Sequence, residues 1–420
     1  MRVLFVTTHS LATNPRLVKE LRSTVALGHT VAVIMFVFDN WSKPINDHLL
    51  DEFRGKVEFV SLPGSRQSKG SWLLSTLFYA VSKLMIGTGS RDPYFLSLFA
   101  NKRSYLLFRS LRKYKKKADL VIAHNTGSFA PAAEYARKNN VKLGLDIEDY
   151  HPGETTDQHA SQRVVDLMKS TLSQANFITA ASPLILKETN DLQSDFKGAC
   201  TVINNVFSKR QQPAFKHISE QPLKVIWFSQ TVGLNRGIQD ALRAMNLVKG
   251  FSISLTIIGD YSAETRAVLE QILEEGRHSI HFCAPLPEPE LIEVCSKHHI
   301  GLALEPGFSL NNSLALSNKL FTYILSGNVI VASDTQAQSN FLKSYPNIGS
   351  VYPIGDYHAL SRIFLSYLTQ PQTMDETRKA AYALAEHKLN WEHESQKFIE
   401  LYQLSENKLT LDPVLINTGT

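Results

Sequence analysis

The chain alternates short, wholly apolar runs with stretches whose apolar residues recur at helical spacing, and it does so on both sides of residue 210. Residues 2–7 form the first such run and residues 31–38 the second. Between them Asn14 suits a helix N-cap and Pro15 the first helical position. Leu17, Val18, Leu21 and Val25 then mark one helical face, and Gly28 marks its end. An apolar run with no polar alternation reads as a strand buried on both faces, as in a parallel sheet covered by helices. Strand, helix and strand in this order imply a βαβ unit.

The same reading gives strands at 120–123, 141–145, 177–180 and 201–203, with a helix at 130–138. Residues 39–93 are less regular. Around 208–213 the apolar periodicity stops, which marks a linker. The pattern then restarts with strands at 224–228, 254–258, 279–282, 300–304 and 329–332 and a helix at 237–248. The expected fold class is therefore α/β, with two Rossmann-like domains, residues 1–208 and 209–377. A helix of about 378–405 is expected to pack back on the first domain.

The chain has 420 residues, 43% hydrophobic and 20% charged, enough for two cores without a staple. Its three cysteines, Cys200, Cys283 and Cys295, have neither disulfide-framework nor zinc-site spacing. Residues 1–7 turn polar too soon for a signal peptide. The longest apolar run, 31–38, is far short of the roughly 20 residues that cross a bilayer. These features place the protein in a reducing compartment, the cytoplasm. A formal charge of +5 suits an acidic small molecule, a membrane surface or a nucleic acid without choosing among them.

Five stretches could carry chemistry. Ser317 can cap a helix ended by Gly327, which puts Lys319 in its first turn. A cation there opposes the helix dipole unless a bound phosphate answers both; an ordinary solvated lysine is the alternative. Trp227 to Gly237 carries a strand through a glycine loop to Arg236 at a helix start, where open α/β sheets bind ligands. Taken alone, a structural turn with a surface arginine is the plainer reading. His124 follows a strand, where a cleft or a purely structural role both fit. Asp146, Glu148, Asp149 and Glu154 cluster after another strand, as a general base, an ion site or a polar cap. Residues from Lys102 to Lys117 hold eight Lys or Arg and no acid. On one helix, Arg109, Arg112, Lys113 and Lys116 would share a face, fit for an anionic membrane, with Trp72, Leu73, Leu74, Leu77, Phe78 and Val81 adding apolar contact. A solvated helix packed on its own domain is the plainer reading.

Taken together and in order, these residues resemble the retaining GT-B glycosyltransferases of family 4. His9, Asn14-Pro15-Arg16 and Gly28-His29 resemble the family's opening, and residues 121–124 its acceptor-domain histidine motif. Residues 202–205 resemble the strand before its linker, and Arg236-Gly237 its basic residue and glycine. Ser317-Asn318-Lys319-Leu320-Phe321 with Tyr323 and Gly327 resembles the start of its nucleotide-binding helix.

The resemblance implies two facing domains with a cleft between them, and transfer of a sugar from a nucleotide-diphosphate donor to a glycan or lipid-linked acceptor. That transfer would serve surface or secreted polysaccharide synthesis, at the inner face of a membrane. No cofactor, metal or nucleic acid is implied. Arg236 and Lys319 would neutralise the leaving diphosphate, and His124 would reach a donor sugar hydroxyl. Donor contacts would come from Asn14, Gln230, Gly233, Gly237, Glu305, Asn318, Leu320 and Thr322. Acceptor contacts would come from His9, Arg16, Asp146, Glu148 and Asp149. Three positions depart from the family pattern. Thr322 stands where a ribose-gripping Glu is usual, Leu314 where its partner Glu is usual, and Gln230 where a second basic residue is usual. A catalytically silent binding subunit and a sugar-nucleotide epimerase on the same fold are the competing readings.

Overall fold

The computed structural model describes residues 1–66, 68–218, 221–274 and 276–406. They form two compact units, one of Met1–Ile203 with the chain from Ser395 onward, the other Asn204–Glu394.

The first unit holds seven parallel strands: β1 Arg2–Thr7, β2 Thr30–Val37, β3 Val57–Pro63, β4 Leu120–His124, β5 Lys142–Ile147, β6 Phe177–Ala180 and β7 Ala199–Val202. Their spatial order is β3-β2-β1-β4-β5-β6-β7, the doubly wound arrangement with its reversal between β1 and β4. The reversal is in register at its tip, Thr7 beside His124. Asn14 caps the first helix through Oδ1, which accepts from Leu17 N at 3.0 Å, and the helix runs Pro15–Ala26.

The second unit repeats the plan with β8 Leu223–Thr231, β9 Ile253–Asp260, β10 Ser279–Cys283, β11 Ile300–Ala303, β12 Val329–Ser333 and β13 Gly349–Tyr352. Its order is β10-β9-β8-β11-β12-β13, all parallel, with the reversal between β8 and β11. Its core is built from strand residues such as Val225, Trp227, Leu255 and Leu302 packed against Leu242 and Phe364. Tyr323 lies flat against β11, its hydroxyl donating to the carbonyls of Ile226 and Leu302. Gly301 makes this possible, since a Cβ there would stand 2.2 Å from the Tyr323 ring.

Four expectations change. The division between units falls at Ile203/Asn204, not at 208, because residues 207–209 are tied into the second unit. Trp391 N donates to Phe207 O at 2.8 Å, and Lys209 N to Glu392 Oε2 at 3.0 Å. The tail is two helices, Pro371–His387 and Trp391–Glu406. Arg378 binds the first into the second unit through the Gly327 and Lys216 carbonyls. Only the chain from Ser395 joins the first unit, where Tyr402 and Thr24 share a 2.7 Å hydrogen bond. The irregular stretch 39–93 contains β3 and the helices Lys43–Glu52 and Lys69–Gly87. In the basic stretch the helix is only Ser104–Lys113, so Lys116 lies beyond it and pairs with Glu58 at 2.9 Å. Its apolar face, Leu107 and Leu111, is buried in the core. Among the described residues no helix is long and apolar enough to cross a membrane.

Candidate functional site

In an open parallel sheet, ligands gather where the strand order reverses, outside the carboxyl ends of the strands. Each unit places a polar cluster there.

In the first unit the ends of β1, β4 and β5 and the helix Pro15–Ala26 enclose Arg16, Glu20, His124 and Asp146, all fully buried. Asp146 takes Arg16 on both oxygens, Nε to Oδ2 and Nη2 to Oδ1, each at 2.7 Å. It also accepts from the Thr179 hydroxyl. The third guanidinium nitrogen, Nη1, donates to the Ile203 carbonyl. His124 lies between carboxylates: Nε2 is 3.1 Å from Glu20, and Nδ1 is 3.2 Å from both Asp146 and Glu148.

Burial alone would lower the His124 pKa, but Glu20, Asp146 and Glu148 together raise it well above the ordinary histidine value. Burial raises Glu20, with His124 opposing. Burial also works to raise Asp146, but Arg16 and His124 hold it well below the usual carboxylate range. Glu20, His124 and Asp146 offer donor atoms within 4.8 Å of one another, close enough for a metal ion. The Arg16 guanidinium, however, already answers both Asp146 oxygens.

Several expected ligands therefore have another job. Arg16 and Asp146 satisfy each other, away from solvent, instead of facing an acceptor. His124 is fully buried, with Nδ1 hydrogen-bonded to Glu148 and Nε2 3.1 Å from Glu20 without hydrogen-bond alignment, so the ring is turned inward to its own unit's carboxylates. Asn14 is buried, and its side-chain oxygen caps a helix. The accessible side of the cluster is Glu148, half-buried Asp149 and half-buried His9. His9 Nδ1 lies 3.3 Å from the Asn125 amide nitrogen, an approach in which the amide donates, and burial lowers the His9 pKa. The Asn125 carbonyl oxygen binds Thr8 twice, from the backbone N–H at 3.1 Å and from the hydroxyl at 2.7 Å. Asn125 holds a positive φ of 64°, a conformation rare outside glycine that this grip stabilises.

In the second unit Ser317 caps the helix Asn318–Ser326, which ends at Gly327 with φ 69°. Lys319 sits in its first turn, as the spacing predicts, and its Nζ is 2.7 Å from Glu305 Oε1. Asn312 donates to the other Glu305 oxygen at 3.2 Å. Ser333 accepts from the Glu305 backbone N–H at 2.8 Å. Burial would raise the Glu305 pKa, but Lys319, Ser317 and Asn312 bring it below the ordinary value. Arg236 is half-buried just before the helix Ile238–Leu247, and no carboxylate pairs with it among the described residues. Gly237 has φ 76°, and a Cβ there would meet Leu304 at 3.0 Å. A cavity of about 320 Å³ lies beside this junction, lined by Gly237, Asp240, Arg243, Glu305 and Ile354 among others.

Gln230 is exposed near the end of β8, and Gly233 is half-buried in the loop that follows. Asn318 Oδ1 accepts from Asn205 at 3.0 Å. Leu320 and Thr322, expected to touch the donor, face the core, and the Thr322 hydroxyl returns to the Asn318 carbonyl at 3.1 Å. From Leu320 to Ser326 every residue of this helix is buried, which one lysine in the first turn does not reveal. Glu20, Asn312 and Ser333 are the site residues that sequence reasoning missed. Glu20 had one signal: it stands four residues after Arg16, on the helix face that also carries Leu17, Leu21 and Thr24.

No protein-family model matches the sequence, and no curated protein does. Solved structures do match its fold. A crystal structure of Anabaena HepE in complex with UDP is 14% identical, with a TM-score of 0.64, covering 97% of this chain and all of the other. Sucrose-phosphate synthase from Thermosynechococcus elongatus is 12% identical, with a TM-score of 0.66 over 96% of this chain and 98% of its own. S. aureus TarM, in complex with fondaparinux, alpha-GlcNAc-glycerol and UDP, is 11% identical, with a TM-score of 0.66 over 96% of this chain and all of its own. At these identities the likeness speaks to the fold. It is the GT-B plan of two Rossmann-like α/β units in one chain, the fold class the sequence predicts.

Proposed function

We propose that this protein is a glycosyltransferase that moves a sugar from a nucleotide-diphosphate donor to a glycan or lipid-linked acceptor. The observation that carries this reading is the placement of Lys319 and Arg236 at the β8/β11 reversal of a Rossmann-like unit. Each stands at the start of a helix, and Glu305 is the carboxylate beside Lys319. Backbone N–H groups at a helix start and two cations are the equipment a diphosphate needs. In the transfer, negative charge grows on the leaving diphosphate as the glycosidic bond breaks, and preformed cations act most strongly at that moment. Release of Lys319 from Glu305 supplies one of them. Structures that share this fold hold UDP, or UDP with sugars, which supports a nucleotide-sugar donor. In this reading the first unit presents His9, Glu148 and Asp149 to the acceptor. The transfer is retaining, by attack on the face the leaving group departs from, and it serves surface or secreted glycan synthesis without a metal.

The test is release of free nucleoside diphosphate from UDP-, GDP- and ADP-sugars with and without acceptor glycans, for wild type and for Lys319→Ala and Arg236→Ala. The reading expects acceptor-dependent release that falls at least about a hundredfold in each variant, the scale of losing one charge-stabilising group. Equal release in all three proteins overturns the assignment of these residues.

Two observations favour a second reading, a binding subunit without turnover. Thr322 turns its hydroxyl to its own helix where a ribose-gripping carboxylate is expected, and both His124 nitrogens face carboxylates. Nucleotide binding with no release from any donor and acceptor pair marks that outcome.

A further inference from the structure

The helix Lys69–Gly87 is built inside out. Its buried side carries Ser75, Ser82 and Ile86, while Leu73, Leu77, Val81 and Leu84 are 61%, 55%, 37% and 69% exposed. Spacings of four, four and three residues put these four side chains in one stripe along the helix, about 16 Å long at 1.5 Å per residue. The arrangement is not a packing failure. Small serines let the helix lie close to its neighbour Pro93–Ala100, and Ile86 completes a cluster with Leu96, Phe108 and Leu167. Tyr79 stacks on Phe99 and Phe78 on Tyr105. The helix is thus firmly anchored with its leucines turned outward.

Cations surround the stripe. The helix contains no acidic residue, and its charged residues are Lys69 and Lys83. Arg66 and Lys102 stand over the Trp72 ring at 5.7 and 5.6 Å. Through the Phe78–Tyr105 stack the surface continues to the helix Ser104–Lys113 and the turn after it, where Arg109, Lys113, Lys115 and Lys117 are exposed. None of these four has a carboxylate partner among the described residues, whereas Arg112 and Lys116 are taken by Glu134 and Glu58. From Lys69 to Lys117 the chain has one acid, Asp92, whose carboxylate caps a helix.

We propose that this face docks on an anionic lipid bilayer, with Leu73, Leu77, Val81 and Leu84 set among the acyl chains and the unpaired lysines and arginines on the headgroups. An in-plane apolar stripe flanked by basic side chains is the physical requirement for such a helix. A nucleic acid would use the cations and leave the leucines in water. The contact refines the one the sequence suggests: the basic helix and the turn after it supply charge through Arg109, Lys113, Lys115 and Lys117, since Arg112 and Lys116 are paired and the helix's own apolar face is core. The surface is independent of the sugar-transfer reading, and nucleotide binding is measured separately.

The experiment is co-sedimentation of the full chain with vesicles of phosphatidylcholine alone and of phosphatidylcholine with one third phosphatidylglycerol. Wild type is expected to bind the anionic vesicles and to lose most of that binding in high salt. Leu73→Glu/Leu77→Glu is expected to bind at least about tenfold less, because two buried apolar contacts become charges facing anionic lipid. These side chains are exposed, so the melting midpoint and nucleotide affinity stay at wild-type values. Lys113→Ala/Lys115→Ala/Lys117→Ala is expected to weaken anionic binding and leave the residual binding to neutral vesicles unchanged. Wild type remaining in the supernatant overturns the proposal, as does undiminished binding of the leucine variant. A dimer in solution that the leucine variant converts to monomer also overturns it, because a second copy then covers the stripe.

Discussion

Replacing Asp146 with alanine removes the anion that holds the buried cluster of the first unit together. The carboxylate is fully buried, and it meets Arg16 through two 2.7 Å hydrogen bonds, the Thr179 hydroxyl and one nitrogen of His124. With charge centres about 4 Å apart and an effective dielectric near 20, the Arg16–Asp146 attraction alone is on the order of 4 kcal/mol. Stranding one member of a buried pair costs about 3–5 kcal/mol. Glu20, whose oxygen is 3.5 Å from Arg16 Nε, takes up part of the loss, so the lower end applies. The expected cost is about 3 kcal/mol, roughly a hundredfold in the opening equilibrium. Hydrogen exchange read by mass spectrometry on peptides from β1, β4 and β5 measures this unit by itself, which a single unfolding midpoint of a two-unit chain does not. Arg16→Met/Asp146→Leu leaves Glu20 and His124 as a balanced pair. It is expected to cost at least about 2 kcal/mol less than the sum of its single changes. A loss below about 1 kcal/mol for Asp146→Ala, or strict additivity in the double variant, refutes the account of this cluster.

Other outcomes follow from the same geometry. The folded-state pKa of His124 is raised, so its contribution to stability is whole below its unfolded value near 6.5 and is lost as pH rises through the folded value. Exchange protection of the first unit is expected to fall as pH climbs above about 6.5, and His124→Asn to flatten that slope; a wild-type slope of the opposite sign contradicts the cluster. Gly301→Ala drives a Cβ into the Tyr323 ring and is expected to destabilise the second unit by about 1–3 kcal/mol, seen in the protection of β11; unchanged protection contradicts the packing. Glu305→Gln frees Lys319 from its ion pair and is expected to tighten nucleoside diphosphate binding severalfold by calorimetry. Weaker binding in that variant would mean that Glu305 positions the lysine instead of competing for it.

The sheets were legible because parallel strands covered on both faces are apolar throughout. The strands next to each reversal, β1 and β4 in one unit and β8 and β11 in the other, stand out for that reason. The strands that sequence reasoning missed lie at sheet edges: β3, Val-Glu-Phe-Val-Ser-Leu-Pro, is only half-buried, and β13 is a short Gly-Ser-Val-Tyr. Lys319 was legible from capping chemistry, since Ser317 and Gly327 mark both ends of its helix. Its pairing with Glu305 was not, because the two come from separate elements that only the fold brings together. The buried quartet was harder still. Arg16, His124 and Asp146 read as cleft residues and Glu20 was missed, because charged side chains are seldom fully buried and the mutual neutralisation of these four appears only once β1, β4 and β5 are side by side. Leu73, Leu77 and Val81 were legible as an apolar contact, whereas the helix Lys69–Gly87 that turns them outward was not, because its buried side is carried by Ser75 and Ser82.

The proposed function rests on Lys319 and Arg236 holding a nucleoside diphosphate in the second unit. Thermal shift of the purified protein with UDP, GDP, ADP, CDP and dTDP, repeated for Lys319→Ala, tests it most directly. A ligand at 100 times its dissociation constant adds about 2.7 kcal/mol of stability, well within reach of a melting curve. One of the five is expected to raise the midpoint of wild type, and the rise to disappear in the variant. No rise with any nucleotide, or an equal rise in Lys319→Ala, contradicts it.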